Sequence, residues 1–506
     1  MSRDDSTDRG ARVGTQRPLP RSRTSASSAV AAVDQPWPSA GADVRCWPGP
    51  LPGSLTDRGN ARLFVDLNHD RFRHAEGVGW LVRDGYRWKR DGAEKAALWA
   101  AGEMGERMPA SDTHGFFNDR ELQQHRRRTL STFGMKALLA HAEASPDLSV
   151  SPDALDSDAY ALCTPAGVVD LSTGRMRAAD PGKDLHSRAT SVAPEVMGIP
   201  RWHRFLSDIF GEGTDGRNMI DFLQVLLGYS ITGDVGAQVL PFLCGEGYNG
   251  KSVLLDTMMQ LFGDYADTAP SGFLMERGAA SESLSDLAEL HGRRLIVCSE
   301  PRRGEKFDET RVNFLTGGDR IKARRMQESF SFAPTHHLWI MGNQRPGVAI
   351  GGSSFWRRIR LLPLDRVVPD GRRIDNLAFE LVRDEGPGIL QWLVEGAGRY
   401  LATRGSLEGP DRVRRANTAY STSEEHIARF IENRCIRDTG AGFEHRVEQS
   451  LLYAAYSSWC SAQEGIVPAR PRAFAVRVRR EVGLTSPAEM IKSNGRKYYP
   501  GIALSE

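Results

Sequence analysis

Apolar residues along this chain change their spacing several times, and the changes divide it into blocks. Through residues 1–55, rich in Arg, Ser, Asp, Ala and Pro and ending near the Pro/Gly-rich stretch Trp47 to Gly53, apolar positions are scattered. Too few can cluster to offset the entropy of ordering, so the pattern predicts a disordered arm. From Ala61 short apolar runs appear: Leu63-Phe64-Val65, Gly79 to Trp88, and Gly167 to Leu171, broken by Asp-Gly and Thr-Gly pairs. These read as short strands and turns with helical stretches between them, a mixed α+β domain over residues 56–200. Residues 202–229 place Trp202, Phe205, Ile209, Phe222, Leu223, Val225, Leu226 and Leu227 at helical period. From Gln238 to about residue 366 strand-like runs alternate with helical stretches, as a parallel α/β sheet requires, giving an α/β domain over 201–370. A helical connector follows over 371–420. Within 421–506, residues 424–436 and 447–464 read as amphipathic helices, and a strand-turn-strand signal surrounds Asn494-Gly495 and Tyr498 to Ile502. Helices followed by a hairpin predict a winged-helix module.

At 506 residues the chain can bury several cores without an external staple. Basic and acidic residues nearly balance, at a net charge of +2, so any nucleic-acid surface must be local. Six cysteines, Cys46, Cys163, Cys244, Cys298, Cys435 and Cys460, lie far apart, with no CxxC pair and no zinc spacing. They read as reduced thiols of a cytosolic protein. No run reaches the roughly 18 apolar residues of a membrane span, and the first residues lack the apolar core of a signal peptide, so no membrane partner is expected. Asp156-Ser-Asp158 is a DxD pattern in a polar Pro/Ser/Asp stretch with no apolar strand before it, and it reads as loop.

The most specific local signal is Gly245-Glu246-Gly247-Tyr248-Asn249-Gly250-Lys251-Ser252, a full GxxxxGK[ST] pattern. An apolar run, Val239 to Cys244, precedes it and a helical run follows, which is the strand–loop–helix context that the motif needs. The glycines let backbone N–H groups cradle phosphate oxygens, Lys251 adds charge at the β and γ positions, and Ser252 offers a hydroxyl to Mg²⁺. ATP and Mg²⁺ are the expected cofactors. Hydrolysis also needs a carboxylate on a neighbouring strand, and Arg294 to Glu300 supplies one about fifty residues downstream. The residue before it is Ser299, not a second acid, so Glu300 would serve both metal and water. His337 to Asn343 is a further apolar strand ending in an amide able to bond the γ-phosphate or the lytic water. Arg357 and Arg358 then open another strand. They could reach transition-state charge across a subunit boundary, or form a surface ion pair.

Taken in order, GEGYNGKS, LIVCSE, FLTGGDRIKARRMQESFSF, LWIMGN and WRRIRLLP resemble the superfamily III helicases, of the poxvirus-type and phage/plasmid-type primase-helicase family, over most of the chain. The resemblance implies an AAA+-like P-loop core between an associated α+β domain and a winged helix. It further implies a DNA helicase in replication of a phage, plasmid or integrated element in the bacterial cytoplasm. The expected assembly is a homo-hexamer with single-stranded or forked DNA in its channel and ATP at subunit interfaces. In that frame Lys251 is the nucleotide lysine, Glu300 the motif B acid, Asn343 the sensor, and Arg357 or Arg358 the finger. A DNA-contacting hairpin falls in Thr316 to Arg325, where Gly317-Gly318 permit a tight turn and Arg320, Lys322, Arg324 and Arg325 carry charge able to track a sugar-phosphate backbone. Many members carry a primase domain ahead of the helicase; none is expected here, leaving primer synthesis to a separate protein. Two other readings stand beside this one. One is a P-loop ATPase that remodels protein or packages DNA. The other is a nucleotide-switched replication initiator or DNA-binding regulator, resting on the basic segment with Arg470, Arg472, Arg477, Arg479, Arg480, Lys492, Arg496 and Lys497.

Overall fold

The computed structural model describes residues 51–506, apart from 113–114, 181, 277–283, 303–304, 326–327, 349–350, 404, 425, 438–444, 463–467, 485–489, 494 and 506. Of the arm expected over residues 1–55, residues 1–50 lie outside the described ones.

Helix α1 (Asp57–Asn68) is capped by Thr56, whose side chain accepts from the Gly59 N–H, and Asp57 sits in its first turn. It contains Leu63-Phe64-Val65, which the apolar run alone suggests as a strand. The cap and the packing of Phe64 against Phe72 and Trp80 outweigh the β-propensity of that triplet. Strands β1 (Phe72–Ala75), β2 (Gly79–Asp84) and β3 (Arg87–Lys89) follow, then α2 (Ala93–Arg107), α3 (Asp119–Thr129), α4 (Thr132–Glu143) and β4 (Ser149–Val150). The first sheet has the order β3-β2-β1-β4. Next, β5 (Ala161–Thr164), β6 (Gly167–Asp170) and β7 (Arg175–Arg177) form an antiparallel meander.

After α5 (Pro200–Phe210) and α6 (Thr214–Ile231) comes the region where strand and helix alternate. It runs β8 (Leu240–Cys244), α7 (Lys251–Phe262), β9 (Ala266–Thr268), α8 (Leu284–Ala288), β10 (Leu295–Cys298) and α9 (Glu309–Leu315). A hairpin, β11 (Ile321–Arg325) with β12 (Glu328–Phe332), precedes β13 (His337–Gly342), α10 (Ser353–Trp356) and β14 (Ile359–Pro363). The five long-range strands pair in parallel in the order β14-β8-β13-β10-β9. Strands β8 and β10 are buried at every position, as expected where helices cover both faces of a parallel sheet. Successive residues serve opposite cores. Leu243, Trp339 and Leu362 join one with Trp202, Leu223, Leu254 and Leu390, while Phe242, Ile340 and Leu361 join another with Phe307, Val312 and Ile321.

Helix α11 (Leu377–Ala402) belongs to the first of these cores and lies against α6. The two backbones touch at a pair of glycines: a Cβ on Gly228 would come 2.1 Å from the carbonyl carbon of Gly396. Helix α12 (Asp411–Glu424) covers the free edge of β14. Asn417 accepts from the Leu361 N–H at 2.8 Å and donates to the Ile359 carbonyl at 3.0 Å, satisfying the outer edge of the strand that ends the sheet among the described residues.

The last block follows the order α13 (His426–Arg434), β15 (Cys435–Arg437), β16 (Arg446–Glu448), α14 (Gln449–Ser461), α15 (Pro471–Glu481), β17 (Ile491–Ser493), β18 (Arg496–Pro500) and β19 (Ile502–Leu504). Phe430, Tyr456, Phe474, Val478 and Tyr499 form its separate core. Strands β17 and β18 pair as an antiparallel hairpin, at the place where Asn494-Gly495 signalled a turn. Among the described residues no helix is long and apolar enough to cross a membrane.

Candidate nucleotide and nucleic-acid sites

The GxxxxGK[ST] segment links the end of β8 to the start of α7. Gly250 caps the helix at φ 81°, where a side chain is strained, and a Cβ there would also press on Ile209 at 2.6 Å. Gly245 is equally confined, with the Leu364 carbonyl 2.2 Å from its would-be Cβ, whereas Gly247 opens into free space. None of the backbone N–H groups from Glu246 to Gly250 donates to an acceptor among the described residues. Free donors on a tight loop before a helix N-terminus make an anion-binding concavity.

Lys251 is buried at the first helical position, and its Nζ lies 2.6 Å from the Gly245 carbonyl, 2.9 Å from Asn249 Oδ1 and 3.0 Å from Asn343 Oδ1. Burial lowers its pKa, and Glu300 nearby acts in the opposite direction. Asn249 is buried as well, donating to the Leu364 carbonyl at 2.8 Å, so the fifth residue of the loop is a fixed prop. Asn343 follows β13, and its N–H donates to Glu300 Oε1 at 2.7 Å. Glu300 itself is exposed just past the end of β10, and Ser252 is exposed in the first turn of α7. Three adjacent parallel strands, β8, β13 and β10, therefore deliver Lys251, Asn343 and Glu300 to one edge of the sheet. That carboxyl edge is where open α/β sheets bind ligands. A cleft of about 570 Å³ opens there, lined in part by Gly245, Glu246, Asn249, Asn343, Arg345 and Asp365.

Arg345 escaped the sequence reading. It lines the cleft beside Cys244, whose thiol is pushed up by burial while Arg345 works against the shift. The signal was present, since a cation two residues beyond an amide-ended strand must fall at the same sheet edge.

The two arginines before β14 part company. Arg357 is exposed and donates to Gln238 Oε1 at 2.7 Å. Arg358 is buried, bonding Thr316 Oγ1 at 2.9 Å and the Ser354 carbonyl at 2.7 Å, so it ties α9 to α10 and has no reach toward a ligand. Both precede β14, which pairs in parallel with β8, so they stand at the opposite edge of the sheet from Lys251. Five residues of strand separate them, about 17 Å at about 3.3 Å each.

The basic segment forms the hairpin β11–β12, but Gly317-Gly318 are not its turn. They join α9 to β11, and the hairpin pairs its strands as far as Arg325 with Glu328. Strand alternation buries Ile321 and Ala323 and leaves Lys322 and Arg324 exposed on one face. The other two cations are engaged within the protein. Arg320 bridges to Asp153 at 2.8 Å and to the Ser331 carbonyl, and Arg325 is largely covered, bonding the Ala288 carbonyl at 2.9 Å and Glu289 at 3.2 Å. Asp156 and Asp158 lie in the segment between a 3₁₀ turn and β5. Asp156 is buried and accepts from the Ser187 N–H at 2.9 Å, and Asp158 accepts from the Tyr160 N–H at 2.9 Å. Both carboxylates serve local loop geometry.

Comparison with known proteins adds an independent line. Residues 61–211 match the family model described as D5 N terminal like. The chain is 25% identical over 211 residues to the Acanthamoeba polyphaga mimivirus protein named "Putative helicase L207/L206", covering 41% of this chain and 22% of that protein. It is 24% identical over 240 residues to the Invertebrate iridescent virus 6 protein named "Putative helicase 184R", covering 45% and 24% respectively. The matched stretches thus span less than a quarter of either relative. Among solved structures, the apo A form of the NrS-1 C-terminal region aligns at a TM-score of 0.38 and 11% identity, over 64% of this chain and 80% of that one. At a coarse level, then, the chain is similar to viral proteins that carry a helicase name, and its N-terminal part is similar to the D5 N-terminal segment.

Proposed function

We propose that this chain is an ATP-dependent DNA helicase of the superfamily III type, acting in replication of a phage, plasmid or integrated element. The observation that carries the reading is the convergence of Lys251, Asn343 and Glu300 beside a loop of unbonded N–H groups. Such a loop and lysine fit the β- and γ-phosphates of ATP. Among the described residues no cluster of three or more His, Cys, Asp or Glu could hold a metal alone. That fits Mg²⁺ held chiefly by phosphates, with Ser252 and Glu300 as the protein's contribution. Bound there, Mg²⁺ would supply neutralisation of phosphate charge. Glu300 orients the attacking water and accepts its proton, and its bond to the Asn343 N–H holds the carboxylate at the mouth of the cleft. Asn343, touching Lys251 on one side and Glu300 on the other, links the phosphate end of the site to the water end.

Arg357 stands too far from its own loop to assist there, and being exposed it suits the site of a neighbouring subunit in a homo-hexameric ring. Lys322 and Arg324 present charge without a shape that reads bases, as a translocating contact to single-stranded DNA requires. The helix–strand–helix–helix–hairpin order of the final block supports a winged helix. The described cysteines are all free, in keeping with a bacterial cytoplasm and its reducing conditions. The test is strand displacement on a forked DNA duplex. ATP-dependent release of the displaced strand, absent with a non-hydrolysable analogue, is expected; ATP turnover without displacement on any fork would overturn the helicase reading.

A further inference from the structure

A second recess, of about 270 Å³, lies at the opposite edge of the parallel sheet, where β2 and β3 meet the residues leading into β9 and β10. Six cations line it, Arg87, Lys89, Arg90, Arg188, Arg293 and Arg325, against three acids, Asp91, Asp264 and Glu289. Three of the cations have carboxylate partners. Arg87 pairs with Asp264, Arg293 with Asp267 at 2.6 Å, and Arg325 with Glu289 at 3.2 Å. The other three do not. Arg188 makes one long bond to the His291 carbonyl at 3.3 Å, and Lys89 and Arg90 have no ion-pair partner among the described residues. Asp156, the acid that acts most strongly on Arg188, is already committed to the N–H and hydroxyl of Ser187.

A stronger sign comes from atoms shut away from water. The Nε groups of Arg87, Arg188, Arg293 and Arg325 are each buried with no hydrogen-bond acceptor among the described residues. A guanidinium N–H without an acceptor is costly, and four of them gather around this recess. Burial, with Arg293 and Arg325 close by, pushes the Arg188 pKa down to about 10, so the side chain stays cationic at neutral pH. Six cations against three acids at one recess, with Lys89, Arg90 and Arg188 lacking carboxylate partners, match a tetrahedral, acceptor-rich anion.

We propose that this recess binds a phosphate group, either as a free anion or as a phosphodiester of a nucleic-acid chain, at a site separate from the nucleotide cleft. The separation follows from the fold. Asp264 and Arg293 precede β9 and β10, whereas Lys251, Asn343 and Glu300 follow the strand ends. The site does not depend on the ATPase reading.

The test uses the full chain carrying Lys251→Ala, which removes the buried charge of the nucleotide cleft and weakens anion binding there, and follows thermal unfolding against inorganic phosphate. A saturable rise in Tm is expected. Adding Arg90→Glu at the exposed rim, or Arg188→Met in the floor, should weaken the half-saturating concentration at least tenfold. Arg90→Glu keeps the test decisive even where the floor variant does not fold. A labelled oligothymidylate distinguishes the source: displacement by inorganic phosphate identifies a phosphodiester site, and phosphate binding indifferent to the oligonucleotide identifies a free anion. No phosphate-dependent shift in the Lys251→Ala protein, or one unchanged by Arg90→Glu, would overturn the proposal.

Discussion

The side chains of Lys251 and Asn343 meet at 3.0 Å, Nζ to Oδ1, across the ends of two adjacent parallel strands. The amide that touches the lysine also offers its backbone N–H to Glu300. Removing either side chain should therefore have different consequences. Lys251→Ala deletes the buried charge facing the phosphates and should weaken ATP binding by at least about tenfold while abolishing turnover. Asn343→Ala keeps the lysine and should leave ATP affinity within a few-fold while lowering kcat by about 10²-fold, in the range of one lost transition-state contact. Equilibrium binding of a fluorescent ATP analogue, read beside kcat, separates the two. Equal losses of affinity in both variants would contradict the division of labour.

Exposure sorts the hairpin cations. Changing Lys322 and Arg324 together to Ala should weaken single-strand binding at every sequence tested and lower the log–log salt slope by about 1.4, since each single-strand phosphate contact releases about 0.7 counterion. Arg320→Ala should change that slope little, because its guanidinium is occupied by Asp153 and Ser331. Fluorescence anisotropy across a salt series reads both. An unchanged slope in the double variant would move the DNA contact elsewhere.

A shared site predicts complementation. A Lys251→Ala subunit keeps its Arg357, and an Arg357→Ala subunit keeps its loop, so neither alone should hydrolyse ATP. Mixed under conditions that let subunits exchange, they should regain part of the activity, and that activity should fall on dilution. Full activity of Arg357→Ala by itself would confine the arginine to its contact with Gln238.

Much of this arrangement was legible because the decisive elements are long apolar strands with a charged or amide residue at one end. Leu240 to Cys244, Leu295 to Cys298 and His337 to Gly342 announce themselves as apolar runs, buried at every position but Met341, and the loop glycines fix where β8 ends. The weaker inferences failed where packing outweighs local pattern. Leu63-Phe64-Val65 carries strand propensity but sits in a capped helix. Arg357 and Arg358 are neighbours in sequence, yet the turn before β14 sends one to solvent and the other into the protein, and no spacing rule distinguishes them. Gly317-Gly318 looked like a hairpin turn, whereas they precede β11, and the pairing of Ile321 with Phe332 and of Arg325 with Glu328 puts the hairpin wholly beyond them. The recess lined by Arg188 and Arg293 draws on residues scattered over more than two hundred positions, which only the tertiary structure assembles.

One buried and one half-buried histidine, His336 and His426, set an acid limit on stability. Burial, with His337 beside it, pushes His336 down to about 3, and burial pushes His426 down to about 4. Both rings are neutral in the fold, whereas the unfolded chain protonates them below about 6.5. As pH falls from about 6.5 toward 3 the unfolded state gains protons that the fold excludes, so stability is lost in that window. Each ring contributes up to about 1.4 kcal/mol per pH unit. Urea midpoints between pH 4 and 7 should fall more steeply for the wild type than for His336→Leu. Identical slopes would mean that His336 takes up its proton without unfolding.

The most direct measurement is steady-state ATP hydrolysis with and without single-stranded DNA, for the wild type and for Glu300→Gln. The account predicts turnover by the wild type that rises several-fold with DNA, and ATP binding without turnover by Glu300→Gln at either condition. Hydrolysis that ignores DNA would favour a nucleotide switch over a translocating motor, and wild-type turnover by Glu300→Gln would contradict the catalytic site itself.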